Sequence, residues 1–202
     1  VGYTLHTCNC GYSYTTDEVA ALGHSYENGS CVTCGEADPD YVSPIVQPTL
    51  KLKAPALEFK DMVKVVAFFT AENLDDVVEM GMLTYTEKVD VVDVNTAAYV
   101  IPGADFDESS GRYFANSQGI HGKFLGDTVY LACYAKLSDG TYAYTKLASY
   151  SPVQYATNQL KGTDVKLKQL CAAMLNYGAA AQNYFGYNTD VLANSTLTAE
   201  QI

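Results

Sequence analysis

Four cysteines stand in the first 34 residues, as Cys8-Asn9-Cys10 and Cys31-Val32-Thr33-Cys34. The residues around them are polar and offer little to bury, so a unit this small needs a staple to fold. Two short-spaced thiol pairs, each presented by one tight turn, are what a tetrahedral Zn²⁺ takes. Gly11 and Gly35 directly follow the pairs and free the backbone where such turns curl. The spacing predicts a structural zinc on Cys8, Cys10, Cys31 and Cys34, with His24 as an alternative ligand and His6 as a weaker one. The competing reading is disulfides, for instance between the two pairs, as in extracellular proteins. A bridge between Cys8 and Cys10 themselves is disfavoured by strain. A redox role for Cys31 and Cys34 lacks the surrounding strand–helix pattern.

A chain of 202 residues with 48% hydrophobic content has enough apolar material for a large core. Its net charge of −11 repels nucleic acid and anionic membrane surfaces, and no Lys/Arg block offsets it. No apolar run approaches the ~20 residues needed to span a bilayer, so no membrane insertion is expected. Seventeen tyrosines, no tryptophan and few basic residues suit an extracellular β-rich protein. The chain opens at Val1 inside a Tyr/Thr segment and reads as part of a larger chain.

The chain divides by composition. Residues 1–36 form the Cys-rich, zinc-ribbon-like unit. Residues 37–48 carry Pro39, Pro44 and Pro48 and read as a stiff linker. Residues 49–150 read as strands. Val63, Val65, Ala67 and Phe69 alternate with Lys64, Val66 and Phe68; Val129, Leu131, Cys133, Ala135 and Leu137 form a second period-2 face. Ser138-Asp139-Gly140-Thr141 predicts a hairpin into Tyr142–Leu147. Further strands are expected near 79–85, 97–101 and 111–115, which together suggest an immunoglobulin-like β-sandwich. Ser151-Pro152 predicts a helix start, Gly162 its end, and Thr163 or Asp164 the start of a second helix that Gly186 stops. Leu167, Leu170, Cys171, Met174, Leu175, Gly178, Ala181 and Phe185 mark its apolar face. The fold class is therefore mainly β with α: a Cys-rich knob, then a sandwich (49–150) with a packed helical hairpin (151–186). Residues 187–202 read as the start of another connector.

Few motifs carry chemistry. Cys133 and Cys171 fall on apolar faces and read as small core residues. A Cys hydrolase would need one of them beside His121, the sole histidine outside the first unit. No serine elbow, His-Glu-x-x-His or phosphate loop occurs. Asp105–Gly111 has its glycine one position late for a calcium loop, and Asn116 stands where the bidentate glutamate belongs, so it reads as an acidic surface turn. Tyr130 and Tyr134 share one face and are expected between sheet and helix. Tyr142 and Tyr144 share another. Exposed tyrosines suit glycan or protein recognition.

Gly23-His24-Ser25-Tyr26-Glu27-Asn28-Gly29-Ser30-Cys31-Val32-Thr33-Cys34-Gly35 resembles a short Cys/His repeat of large secreted and cell-surface multidomain proteins of gut Firmicutes. The stretch from Leu170 to Asp190, with Asn176-Tyr177-Gly178-Ala179-Ala180-Ala181-Gln182 and Tyr184-Phe185-Gly186-Tyr187, is similar to a recurrent module of the same proteins. Segments like Tyr99–Gly103 and Ala135–Tyr142 precede it there. The resemblance implies a repeated, non-catalytic part of an extracellular protein. In such repeats a further cysteine precedes the first pair, which would place Cys8 and Cys10 in one site and His24, Cys31 and Cys34 in a second. The resemblance carries over no binding residue.

The expected function is a non-catalytic binding or adhesion module of a secreted or cell-surface bacterial protein, with a protein ligand such as a host immunoglobulin. The alternatives are a carbohydrate-binding module of a multidomain glycosidase, recognising a glycan, and a structural spacer.

Overall fold

The computed structural model describes residues 2–20 and 23–201, and it divides into two compact units, Val1–Ile45 and Val46–Ile202. The division falls inside the proline-rich stretch. Its first residues belong to the first unit: Ser30 and Ala37 form a β-bridge, and the Asp38 N–H donates to the Gly29 carbonyl at 2.9 Å.

The first unit holds two hairpins. Strands β1 (Gly2–Thr7) and β2 (Ser13–Val19) pair antiparallel, as do β3 (Tyr26–Glu27) and β4 (Ser30–Cys31).

The second unit is mainly β, with two helices at its C-terminal end. One five-stranded sheet contains β5 (Thr49–Leu52), β6 (Ala56–Phe59), β7 (Val63–Glu72), β10 (Asp105–Asp107) and β11 (Arg112–Asn116). The other contains β8 (Val77–Tyr85), β9 (Tyr99–Pro102), β12 (Val129–Leu137), β13 (Tyr142–Tyr144) and β14 (Ala148–Tyr150). All pairings are antiparallel. One apolar core is shared by both sheets and both helices: Val65, Ala67 and Phe69 of β7 meet Leu131, Cys133 and Ala135 of β12, with Ala156, Cys171 and Leu175 from the helices. These are the alternating positions that the sequence marks as one face of each strand.

The central strand β12 departs from simple alternation. Ala132 and Tyr134 on its other face are also fully buried. Tyr134 belongs to a second cluster, in which Val89, Val92 and Val94 pack against Leu83, Tyr85 and Tyr134. The cover for Tyr134 is thus the loop between β8 and β9, not a helix. The Tyr134 hydroxyl donates to Glu79 at 2.7 Å, and burial pushes its ionisation up. The strand expected to run to Leu147 ends at Tyr144. Thr145 interrupts it: the Thr145 hydroxyl oxygen accepts the Cys133 N–H at 2.9 Å, in place of a ladder carbonyl. The chain then turns and β14 rejoins β12 further along.

Asp105–Gly111 is the turn between β10 and β11. Asp107 accepts from Ser109 and Ser110 side chains (2.7 and 2.6 Å), which hold its carboxyl below the usual range.

Helix α1 (Pro152–Gln159) starts at Ser151, whose hydroxyl accepts the Gln154 N–H at 3.0 Å. Helix α2 (Val165–Phe185) starts at Asp164, which accepts the Leu167 N–H, and ends at Gly186 in the left-handed conformation. Most of its expected apolar face is inside, but Leu170 and Phe185 are exposed. Gly178 allows a close approach: a Cβ there would lie 3.0 Å from both Leu125 and Ala193.

Ala193 marks a second departure. Residues 187–201 are no outgoing connector; they fold back on α2, and Ala193 and Leu197 enter the core. Gln182, fully buried in α2, holds them there. Its Oε1 accepts the Ala193 N–H at 2.7 Å, and its Nε2 donates to the Val191 carbonyl at 3.2 Å. Gln182→Leu leaves the buried Ala193 N–H without its acceptor and the Val191 carbonyl without its donor, so we expect a loss of about 1–3 kcal/mol. Urea denaturation of the variant checks this.

Candidate functional site

In the first unit, local turn chemistry assembles a cluster of donor atoms. Asn28 and Gly29 both have positive φ (49° and 81°), as a type I′ two-residue hairpin requires. This turn sets Cys31 opposite Tyr26. His24 stands just before that strand and stacks on the Tyr26 ring at 5.6 Å. After Cys31 the chain curls: the Gly35 N–H donates to the Cys31 carbonyl at 2.9 Å, and the Cys31 N–H donates to the Glu36 carbonyl at 2.7 Å. The curl returns Cys34 to the imidazole, with Cys34 Sγ 3.4 Å from His24 Nδ1.

His24, Cys31 and Cys34 each bring one donor atom within 4.8 Å of the others, a group that could hold a metal ion. Two features fit that role. Cys31 is poised as a thiolate, its pKa lowered to about 6 by the Cys34 and Thr33 N–H groups and by His24. His24 Nε2 lies 3.1 Å from the Glu36 carboxylate. With its proton on that side, Nδ1 presents a lone pair toward the sulfurs, the usual arrangement behind a metal-bound histidine. The bond to Cys31 and then the Glu36 charge raise the His24 pKa.

The other proposed ligands stand elsewhere. Cys8 and Cys10 are bonded to each other as a disulfide, across a turn whose Cα atoms are 5.2 Å apart. That separation lies within the ordinary disulfide range, so the adjacent bridge that the spacing disfavours is sterically accessible. The four sulfurs do not converge on one point. His6 stacks on Tyr14 and bonds Thr16 at 2.8 Å, also outside the group. The Asn28-Gly29 hairpin was the signal that would have joined His24 to the second cysteine pair without the first.

In the second unit, the two thiols are core residues. Cys133 and Cys171 are fully buried, and burial pushes the Cys133 thiol up to about 12. His121 sits at the surface with its ring edge-on to Phe124. Tyr142 and Tyr144 stack almost parallel, 6.0 Å apart, but the Tyr144 hydroxyl accepts the Val94 N–H and both rings pack in the second cluster. They are cross-strand packing and not an exposed platform. Helix α2 instead exposes three aromatic residues, Tyr177, Tyr184 and Phe185. Among the described residues no helix is long and apolar enough to cross a membrane.

No family model matches this chain, and no curated protein matches it.

The three-donor group makes a direct prediction. Titrating the fully reduced chain with Co²⁺ should give thiolate-to-cobalt absorption. Cys34→Ala should abolish it, and Glu36→Gln should weaken binding by about 10-fold or more, as loss of a carboxylate behind a ligating histidine does. The double variant Cys8→Ser/Cys10→Ser should retain it.

Proposed function

We propose that the chain is a non-catalytic binding module of a secreted or cell-surface bacterial protein, with a protein as its ligand. The solvent face of α2 carries this reading. Leu170, Tyr177 and Tyr184 recur at seven-residue steps and are 44%, 65% and 84% exposed; Phe185 beside them is 63% exposed. Ala173 and Ala180 are exposed between them, which completes the three-and-four spacing of a helical seam. Tyrosine is enriched where proteins meet, because its ring supplies contact area at low entropic cost. Helix α2 has Lys166 and Lys168 and no acidic residue, in a chain of net charge −11. Its outer face therefore sets no negative charge of its own against an acidic partner. Burial of both core thiols favours a non-catalytic role over a cysteine hydrolase.

In this reading the second unit is an immunoglobulin-like sandwich, supported by two antiparallel sheets over one core. The metal of the first unit is zinc, in a zinc-ribbon-like staple. Two thiolates and an imidazole are a donor set zinc prefers, and the unit has little apolar core of its own. The Cys8–Cys10 bridge suits an oxidising, extracellular setting.

Surface plasmon resonance against pooled immunoglobulin G, secretory immunoglobulin A and a panel of other mucosal proteins tests the reading. We expect at least one micromolar or tighter interaction. Leu170→Ser/Tyr184→Ser should weaken it by at least about 10-fold, the effect of removing central apolar anchors. Binding indifferent to these substitutions, or none across the panel, overturns it.

A further inference from the structure

The second unit contains a cleft of about 650 Å³ at one end of the sheet built on β8, β9 and β12. This volume lies within the range of small-molecule sites, roughly 300–1,000 Å³. The cleft opens where β8 ends and β9 and β12 begin. The segment Gln118–Thr128 and Tyr187-Asn188, just past α2, close its sides. It is separate from the exposed stripe of α2 and its role does not depend on that stripe.

The walls are aromatic. Tyr99 and Tyr130 line one part, Phe124 and Tyr187 another. The Phe124 and Tyr187 rings meet at 90° with centroids 5.1 Å apart, so one presents its edge to the other and both are held in place. Tyr99 is about half exposed, which leaves part of its ring accessible.

Two polar side chains are oriented by partners that leave half of each uncommitted. The Tyr187 hydroxyl donates to Asp127 Oδ2 at 2.8 Å. Asp127 Oδ1 accepts from no described residue. The hydroxyl of buried Thr84 donates to Gln118 Oε1 at 3.2 Å, which fixes the amide and leaves its NH₂ with no acceptor among the described residues. The cleft therefore offers an acceptor from a carboxylate and paired donors from an amide, on aromatic walls. His121 adds an imidazole that can do either.

The charges select against ionic ligands. Asp127 disfavours an anion. Lys123 does not line the cleft, but its ammonium lies 4.8 Å from the Phe124 ring centre and 5.5 Å from that of Tyr187, a positive charge beside the aromatic wall that disfavours a cation there. A neutral molecule remains, one with apolar ring faces for the aromatic walls and neighbouring hydroxyls that donate to Asp127 and accept from Gln118.

We propose that this cleft is a binding site for a neutral saccharide, seated against Tyr99 and Phe124 with adjacent hydroxyls shared between Asp127 and Gln118.

A glycan array of neutral and sialylated or sulfated structures, probed with the full chain, is the first test. Titration of each hit followed by amide NMR completes it. The expected result is a preference for neutral glycans, with shift changes at Tyr99, His121, Phe124 and Asp127. Tyr99→Ala and Gln118→Leu, each confirmed folded by circular dichroism, should weaken binding at least 10-fold. Tyr184→Ala on the outer face of α2 should leave it unchanged, so failure of the protein-ligand reading and failure of this one are distinguishable. No glycan bound, preference for charged glycans, or binding that survives both cleft substitutions overturns the proposal.

Discussion

Burial of both faces of β12 is the constraint on which the second unit depends. A strand that pairs with β8 on one side and with β13 and β14 on the other has no free edge along most of its length. Its Leu131–Cys133–Ala135 face needs the other sheet and the helices. Its Ala132–Tyr134 face needs a cover of its own, and the β8–β9 loop supplies it through Val89, Val92 and Val94. Tyr85 secures that loop, since its hydroxyl donates to the Asp93 carbonyl and accepts the Asp93 N–H. Gly81 on β8 permits the crowding: a Cβ there would meet the Ile101 carbonyl and the Tyr134 ring. The same strand ends that this packing fixes form the floor of the cleft.

Features fixed by local rules were easy to read in the sequence. The alternation in β7 and β12, the Asp139-Gly140 hairpin, the capped start of each helix and the stop at Gly186 all correspond to local rules with local partners. Interactions that span the chain were not legible. Nothing local in Thr145 announces that its hydroxyl replaces a ladder bond. Nothing in residues 187–201 announces that a glutamine within α2 will capture them. Leu170 and Phe185 look like core positions by period, because periodicity marks apolar residues without saying which side of a helix the sheets will cover.

The donor cluster was legible in its parts and less so in its grouping. Spacing alone joined Cys8 and Cys10 to Cys31 and Cys34, because two thiol pairs suit one ion. The geometry follows the hairpins instead. Each pair is presented by its own turn, and the second turn carries an imidazole with a carboxylate behind it. The cleft was not legible at all. Its lining is drawn from four separate stretches of sequence, and no short motif contains more than a fragment of it.

Gln182 has a further meaning for how such a chain is made. Ala193 and Leu197 complete the core, and Asn188 completes one wall of the cleft. On a ribosome the sheets emerge long before these residues do. Every earlier length of nascent chain exposes part of α2 and an open-ended cleft, and domains tend to consolidate as units during synthesis. The last turn of the unit is thus also a checkpoint in time: until residues 187–201 have emerged and been gripped, the unit has neither a closed interior nor a formed pocket.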